Sequence, residues 1–299
     1  MITKEIIGSN IRKEREKQKL TREQLCGMQD ELTVKQLMRI ELGKSLPTIV
    51  KLEYISDRLG VDISEFLGSK VIGLPEEYLE KKYKLIKLPS YTDSTRIREK
   101  IGLLEEIYEE FFEILPEEEL VTLDLLEKTW NLIVYENDNM VEEIYEDYFN
   151  QLFVKRNYSL NDLLLARYFA LKSQDFEYDK KGLDRIRLRI ISQNIHGEEL
   201  YNVLLLGVLS AIAGVYVVNA DYRYMISIVK KMYEIIDITM QHTFKPGVLM
   251  LEAKYRIYFE KDYASGKKCY DLAMIFAQNL GDDVFIKNLE KERELDLSI

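Results

Sequence analysis

Five prolines, Pro47, Pro75, Pro89, Pro116 and Pro246, punctuate a chain whose intervening segments repeat Leu, Ile, Glu and Lys at helical spacing. Proline lacks a backbone donor and clashes inside a helix, so these positions mark turns or first helical turns. The sequence has no alternating period-two run bounded by hairpin turn residues. The pattern predicts an all-α protein. Its 299 residues, 46% hydrophobic and 31% charged, suit about two domains with a substantial core. Cys26 and Cys269 alone cannot make a disulfide scaffold, and they suit a reducing, cytoplasmic compartment. The start, Met1-Ile2-Thr3-Lys4-Glu5, lacks the apolar core of a secretory signal. The longest apolar run, Val203 to Val218, falls short of the roughly 20 residues of a membrane span, so a buried helix is expected and no membrane partner.

Glycine, serine and proline gather in Leu67-Gly68-Ser69-Lys70-Val71-Ile72-Gly73-Leu74-Pro75. This predicts a linker over 68–75 between a head at 1–67 and a body at 76–299. Charge divides there too. Residues 1–70 carry 13 Lys and Arg against 11 Asp and Glu, and the remainder 29 against 41, which together give the net −10. A uniformly acidic protein repels nucleic acid, whereas a basic head on an acidic body need not.

The head predicts five short helices. Ile7 and Ile11 share one face, Thr21-Arg22-Glu23-Gln24 and Thr33-Val34-Lys35-Gln36 both have the capping-box form, and Leu52, Ile55 and Leu59 give a further apolar face ending at Gly60. Leu20-Thr21-x3-Leu25, Arg39-Ile40-Glu41-x-Gly43-x3-Pro47 and Leu52-x2-Ile55-x3-Leu59-Gly60-Val61 together resemble the helix-turn-helix of the phage-repressor class. The turn Gly27 to Leu32 is about one residue longer than is usual there, with its glycine early.

A recognition helix enters the major groove with its N-terminal half toward the base edges. On that geometry Lys35, Gln36 and Arg39 are candidates for base contact, and Arg22, Lys44 and Lys51, near helix starts, for phosphates. The alternative is that Arg39 and Glu41 form a scaffold salt bridge and the basic residues of the first helix a solvated face. A net charge of +2 over residues 1–70 neutralises few phosphates, so specificity suggests a homodimer on half-sites roughly 34 Å apart, assembled through the body.

In the body, Gly266-x3-Tyr270-x2-Ala273 has the spacing of a second tetratricopeptide helix, and about ten amphipathic segments favour a tetratricopeptide-like solenoid with a concave surface. Gly207, Ser210, Ala211 and Gly214 line one helix face, for close packing or for ligand space beside Leu204 and Leu205. His196 and His242 lack metal-ligand spacing, there is no Cys-x2-Cys, and no glycine loop cradles phosphate, so no catalytic residue, metal or cofactor is expected.

End to end, the chain resembles the Rgg group of peptide-responsive regulators of Gram-positive bacteria, most closely the ComR-type competence regulators of streptococci. The blocks that carry this are Leu32-Thr33-Val34-x-Gln36-Leu37-x-Arg39-Ile40-Glu41, Ser45-Leu46-Pro47, Ile114-Leu115-Pro116-Glu117-Glu118-Glu119-Leu120 and Val141-Glu142-Glu143-Ile144-Tyr145-Glu146-Asp147. The resemblance implies a receptor that binds a short hydrophobic pheromone peptide, dimerises with exchange of a C-terminal helix, here from Asp283 onward, and activates competence genes from promoter DNA.

It further implies peptide contacts at Ser90, Lys100, Leu205 and Gly247, and a restraint on the recognition helix by Glu117. Lys100, in the basic island Arg96-x-Arg98-x-Lys100, suits a peptide carboxylate, although pairing with Glu105 is an equal reading. Gly247 after Pro246 suits a turn or a wider pocket floor. The acid run Glu117-Glu118-Glu119 is ordinarily a favourable first helical turn. Taking up that implied restraint, we expect Glu117 to pair with Lys35 and mask the reading face, a pair worth about 1 kcal/mol. Two other readings remain open: a repressor released by peptide, and a helical scaffold that does not bind DNA.

Overall fold

A computed structural model of the chain describes residues 4–67, 74–91, 93–135, 142–175 and 179–298. All its regular elements are helical, with no strand among the described residues. The head holds α1 (Lys4–Lys17), α2 (Arg22–Cys26), α3 (Val34–Glu41), α4 (Ile49–Leu59) and α5 (Ser64–Leu67). The body holds α6 (Glu76–Lys87), α7 (Ser94–Phe111), α8 (Glu117–Tyr135), α9 (Glu142–Val154), α10 (Leu160–Asp175), α11 (Lys180–Ile191), α12 (Glu199–Val218), α13 (Met225–Thr239), α14 (Lys245–Tyr258), α15 (Tyr263–Leu280) and α16 (Asp283–Leu297). Of the expected linker, residues 68–73 lie outside the described residues.

Both capping boxes form. The Thr21 and Thr33 hydroxyls accept from the backbone N–H of Gln24 and Gln36, whose side chains accept from the cap N–H in return. Ile7, Ile11, Leu25, Leu37, Ile40, Leu52, Ile55 and Phe66 close a core separate from that of the body. Gly8 lets α1 lie directly on α3, since a Cβ there would run into the Ile40 carbonyl. The long turn between α2 and α3 is accommodated by two left-handed residues, Gly27 at φ +57° and Gln29 at φ +58°. The Gln29 side chain then accepts from the Val34 N–H at 3.2 Å, tying the turn to the start of α3.

In the body, successive helices pack on their neighbours, and α10 lies against both α8 and α12. Gly266, Tyr270 and Ala273 are all buried, and Ile257 of α14 occupies the space a side chain at Gly266 would need. The apolar run extends N-terminally into a 20-residue α12, long and apolar enough by length and composition to cross a membrane. Most of it is buried, with α10, α11 and α13 packed around it, which is the environment of a core helix.

The last helix is held at both ends by polar contacts. Buried Asp296 accepts from Lys254 Nζ at 2.7 Å, from the Tyr258 hydroxyl at 2.8 Å and from the Tyr270 hydroxyl. At the other end, Arg96 of α7 grips Asp282 through both carboxylate oxygens at 2.8 and 3.0 Å, and Tyr91 stacks on Phe285 at 4.6 Å. These contacts join α16 to the start of the body.

Candidate functional site

The recognition helix α3 faces the body. Glu117, the first residue of α8, forms an ion pair with Arg39 and accepts from the Tyr148 hydroxyl at 3.3 Å. Its backbone N–H donates to the Leu46 carbonyl of the head at 3.2 Å. The expected Lys35 partner is therefore corrected. Arg39 lies one turn further along α3, toward the Leu46 loop where the start of α8 is fixed, and its guanidinium reaches Glu117. Lys35 is exposed on the first turn.

Glu118 pairs with Lys51 at the start of α4 and accepts from Asn161 Nδ2 at 3.2 Å. Burial raises its carboxyl pKa, but the Lys51 ammonium, Asn161 and Lys155 outweigh burial and hold it below its usual value. Glu119 turns inward to Lys82 Nζ at 2.6 Å and to the Tyr78 hydroxyl. Gln151 of α9 adds a bond to the Gln29 carbonyl at 2.9 Å. Three consecutive glutamates thus meet three cations, two of them in the head. With α3 and the start of α4 against α8 and α9, the reading face cannot enter a major groove.

Two of the expected DNA contacts have other duties. Arg22 Nε pairs at 2.8 Å with Glu41, whose fully buried side chain is also held by Arg15 at 2.5 Å. The scaffold bridge of Glu41 therefore runs to Arg15 and Arg22, not to Arg39. Gln36 is buried, its amide oxygen is used in the Thr33 cap, and its amide lies beside the Tyr148 hydroxyl. Its position as N3 of α3 makes it a capping group, which removes it as an adenine reader in this arrangement. Lys44 is exposed beyond the end of α3.

The expected ligand contacts scatter. Ser90 sits in the α6–α7 loop, where its carbonyl accepts from the Asp93 N–H at 2.9 Å. Lys100 is buried, donates to the Leu85 carbonyl at 2.5 Å and lies 5.4 Å from the Trp130 ring centre. Burial, with the Arg167 charge adding to it, pushes its ammonium down to about 7. Its ion pairing with Glu105 does not form. Lys100 also lines a cavity of about 430 Å³ with Lys84, Pro89, Arg96, Leu103 and Asp282, so the basic island borders the α16 junction.

Leu205 is fully buried and lies across α12 from Gly207, Ser210 and Gly214, the residues on the partly open face. Gly247 lies in the first turn of α14 rather than in a loop, with open space where a side chain would project.

Sequence reasoning missed Arg167, Trp130 and Asp282. For Arg167 a signal existed: it is the lone cation in Leu163-Leu164-Leu165-Ala166-Arg167-Tyr168-Phe169-Ala170. For Asp282, on a half-buried helix cap, none did.

A family model described as ComR tetratricopeptide matches residues 75–293. The apo form of the competence regulator ComR from Streptococcus vestibularis is 41% identical, covers 98% of each chain and superposes with a TM-score of 0.83. The same regulator in complex with its cognate signalling peptide XIP is 41% identical over 98% of this chain and 99% of that one, with a TM-score of 0.71. ComR from S. thermophilus in complex with DNA and its signalling peptide ComS is 40% identical over 97% and 99%, with a TM-score of 0.72. Comparison with curated proteins gives no match.

A helix-turn-helix head on a tetratricopeptide-like receptor body defines the class of peptide-responsive transcription regulators. Within that class, the chain belongs to the ComR family of competence regulators.

Proposed function

We propose that this chain is a cytoplasmic transcriptional activator that holds its own recognition helix closed until a short hydrophobic peptide binds the concave side of the body. The head, residues 1–67, then leaves α8 and α9 and reads promoter DNA as a homodimer built by the 76–299 body. The observation that carries this reading is the Arg39–Glu117 pair, together with the Glu117 N–H on Leu46, set on the face that would meet DNA. The better superposition on an apo relative than on two peptide complexes supports it.

In the released state Lys35 and Arg39 face base edges, and Lys44 and Lys51 face phosphates. Arg22 and Gln36 stay with the scaffold. On the ligand side, Ser90 and Lys100 border the peptide, with Gly247 providing open floor. The test is a gel-shift titration of the full chain on promoter fragments from its own genome, with and without short hydrophobic peptides. Peptide-enhanced complexes are expected. Complexes that dissolve on adding peptide would mean a released repressor, and no specific complex under any condition would mean a scaffold.

A further inference from the structure

We infer that Arg167 is the residue of the concave groove that receives a carboxylate of the bound peptide, with Lys100 as the second cation; this rests on the peptide-receptor reading. Arg167 sits mid-way along α10, between α8 and α12, in a stretch otherwise apolar over a full turn on each side. Its side chain crosses the bare backbone of α12: a Cβ on Gly207 would lie 3.9 Å from its Cδ and Nε and 4.0 Å from its Cζ. Seven residues further along each helix, Gln174 holds the same relation to Gly214, 3.2 Å from where its Cβ would be. The open face of α12, with Gly207, Ser210 and Gly214, is therefore a strip without large side chains, bordered by one guanidinium and one amide.

Other cations withdrawn from solvent show what half-buried Arg167 lacks: buried Arg15 has Glu41, buried Lys82 has Glu119, buried Lys254 has Asp296 and half-buried Lys155 has Asp162, whereas Lys100, bonded to the Leu85 carbonyl, shares with Arg167 the want of a carboxylate among the described residues. Among the described residues Arg167 has neither an ion pair nor a hydrogen bond to an acceptor, and the charge it presents to its surroundings reaches Lys100, another cation. Burial alone shifts Arg167, downward, which is what enclosure without a counter-ion does. A lysine in that position can shed its proton, but an arginine cannot, so the site keeps a positive charge that only an incoming anion can neutralise. A carboxylate matches the guanidinium fork in two parallel hydrogen bonds. Lys100, already tied to Leu85 and facing Trp130, then adds charge more than geometry.

The carboxylate can come from the peptide's C-terminus or from an acidic side chain, and the test separates them. The full-length chain is incubated with synthetic hydrophobic octapeptides of three kinds: free C-terminal acids, C-terminal amides, and amides with one internal Asp. Retained peptides are identified by mass spectrometry. The wild type is expected to enrich a carboxylate-bearing kind over plain amides by roughly 10- to 100-fold, the range of a charge-assisted hydrogen-bond pair. Which of the two kinds dominates names the source.

R167L, checked for native helicity, is expected to lose that preference while still retaining hydrophobic octapeptides, and R167K to restore part of it. Equal retention of amides by the wild type, or an undiminished acid preference in R167L, overturns the assignment. Retention of no octapeptide by the wild type overturns the receptor reading itself, and the assignment with it.

Discussion

Glu117 serves three partners: the Arg39 guanidinium, the Tyr148 hydroxyl and, through its backbone, Leu46. Its bridge is partly open, with the Arg39 side chain 38% exposed, so it contributes about 1 kcal/mol, enough to bias a docking equilibrium and not to lock it. E117Q keeps the size and removes the charge. It is expected to raise peptide-independent DNA affinity about fivefold, read by gel shift without peptide. Lys100 gives the ligand side a pH signature. Its pKa near 7 in the free receptor must rise when a carboxylate arrives, because the anion favours the ammonium. Binding therefore takes up a proton. Affinity is fully present below pH 7 and falls by up to about tenfold per unit as pH rises from 7 toward the pKa of the complex. Peptide titrations between about pH 6.5 and 8.5 check this, and K100M is expected to flatten the profile.

Among the elements, α3 is joined to the body, and α16 to α7 and α14, partly through polar contacts. Only Leu289 and Asp296 of α16 are buried, so its seat depends on the Asp296 carboxylate together with the apolar contacts of Leu289, Phe285 and Ile286. D296A takes the acceptor from the Tyr258 and Tyr270 hydroxyls and leaves Lys254 with Glu292 alone, and it is expected to cost roughly 3 kcal/mol, seen as lost amide-exchange protection over residues 283–297. In the head, G8A would push α1 off α3 at a cost of roughly 1–3 kcal/mol, measured as a fall in thermal midpoint.

The elements themselves were legible in the sequence wherever the determinant is local. The Thr21 and Thr33 caps, the Gly60 stop and the Gly266-Tyr270-Ala273 spacing each act within a turn or two of helix. What the sequence concealed depends on tertiary contact. Arg39 and Glu117 are 78 residues apart, and helical spacing offers Lys35 on nearly the same face. Leu205 reads as a pocket residue until the packing of α10, α11 and α13 decides which side of α12 is open. Gln36 has the chemistry of a base reader but is engaged by its own cap.

Over the whole molecule, the net charge of −10 divides into +2 over residues 1–70 and −12 over the remainder, whose acids meet the head's cations at Glu117 and Glu118. The acidity that would repel DNA is thereby set against the reading face while the receptor is empty. Apo and peptide-bound relatives of equal identity superpose on the chain with TM-scores of 0.83 and 0.71, so its arrangement is nearer to that of the apo relative.

The most direct test of release of the docked head is amide hydrogen exchange across residues 34–47 of the full-length chain, free and at saturating peptide. The account expects protection of α3 and the Leu46 loop in the free chain and its loss when peptide binds, with the caps and core of the head still protected. Equal protection of 34–47 in both states would contradict it.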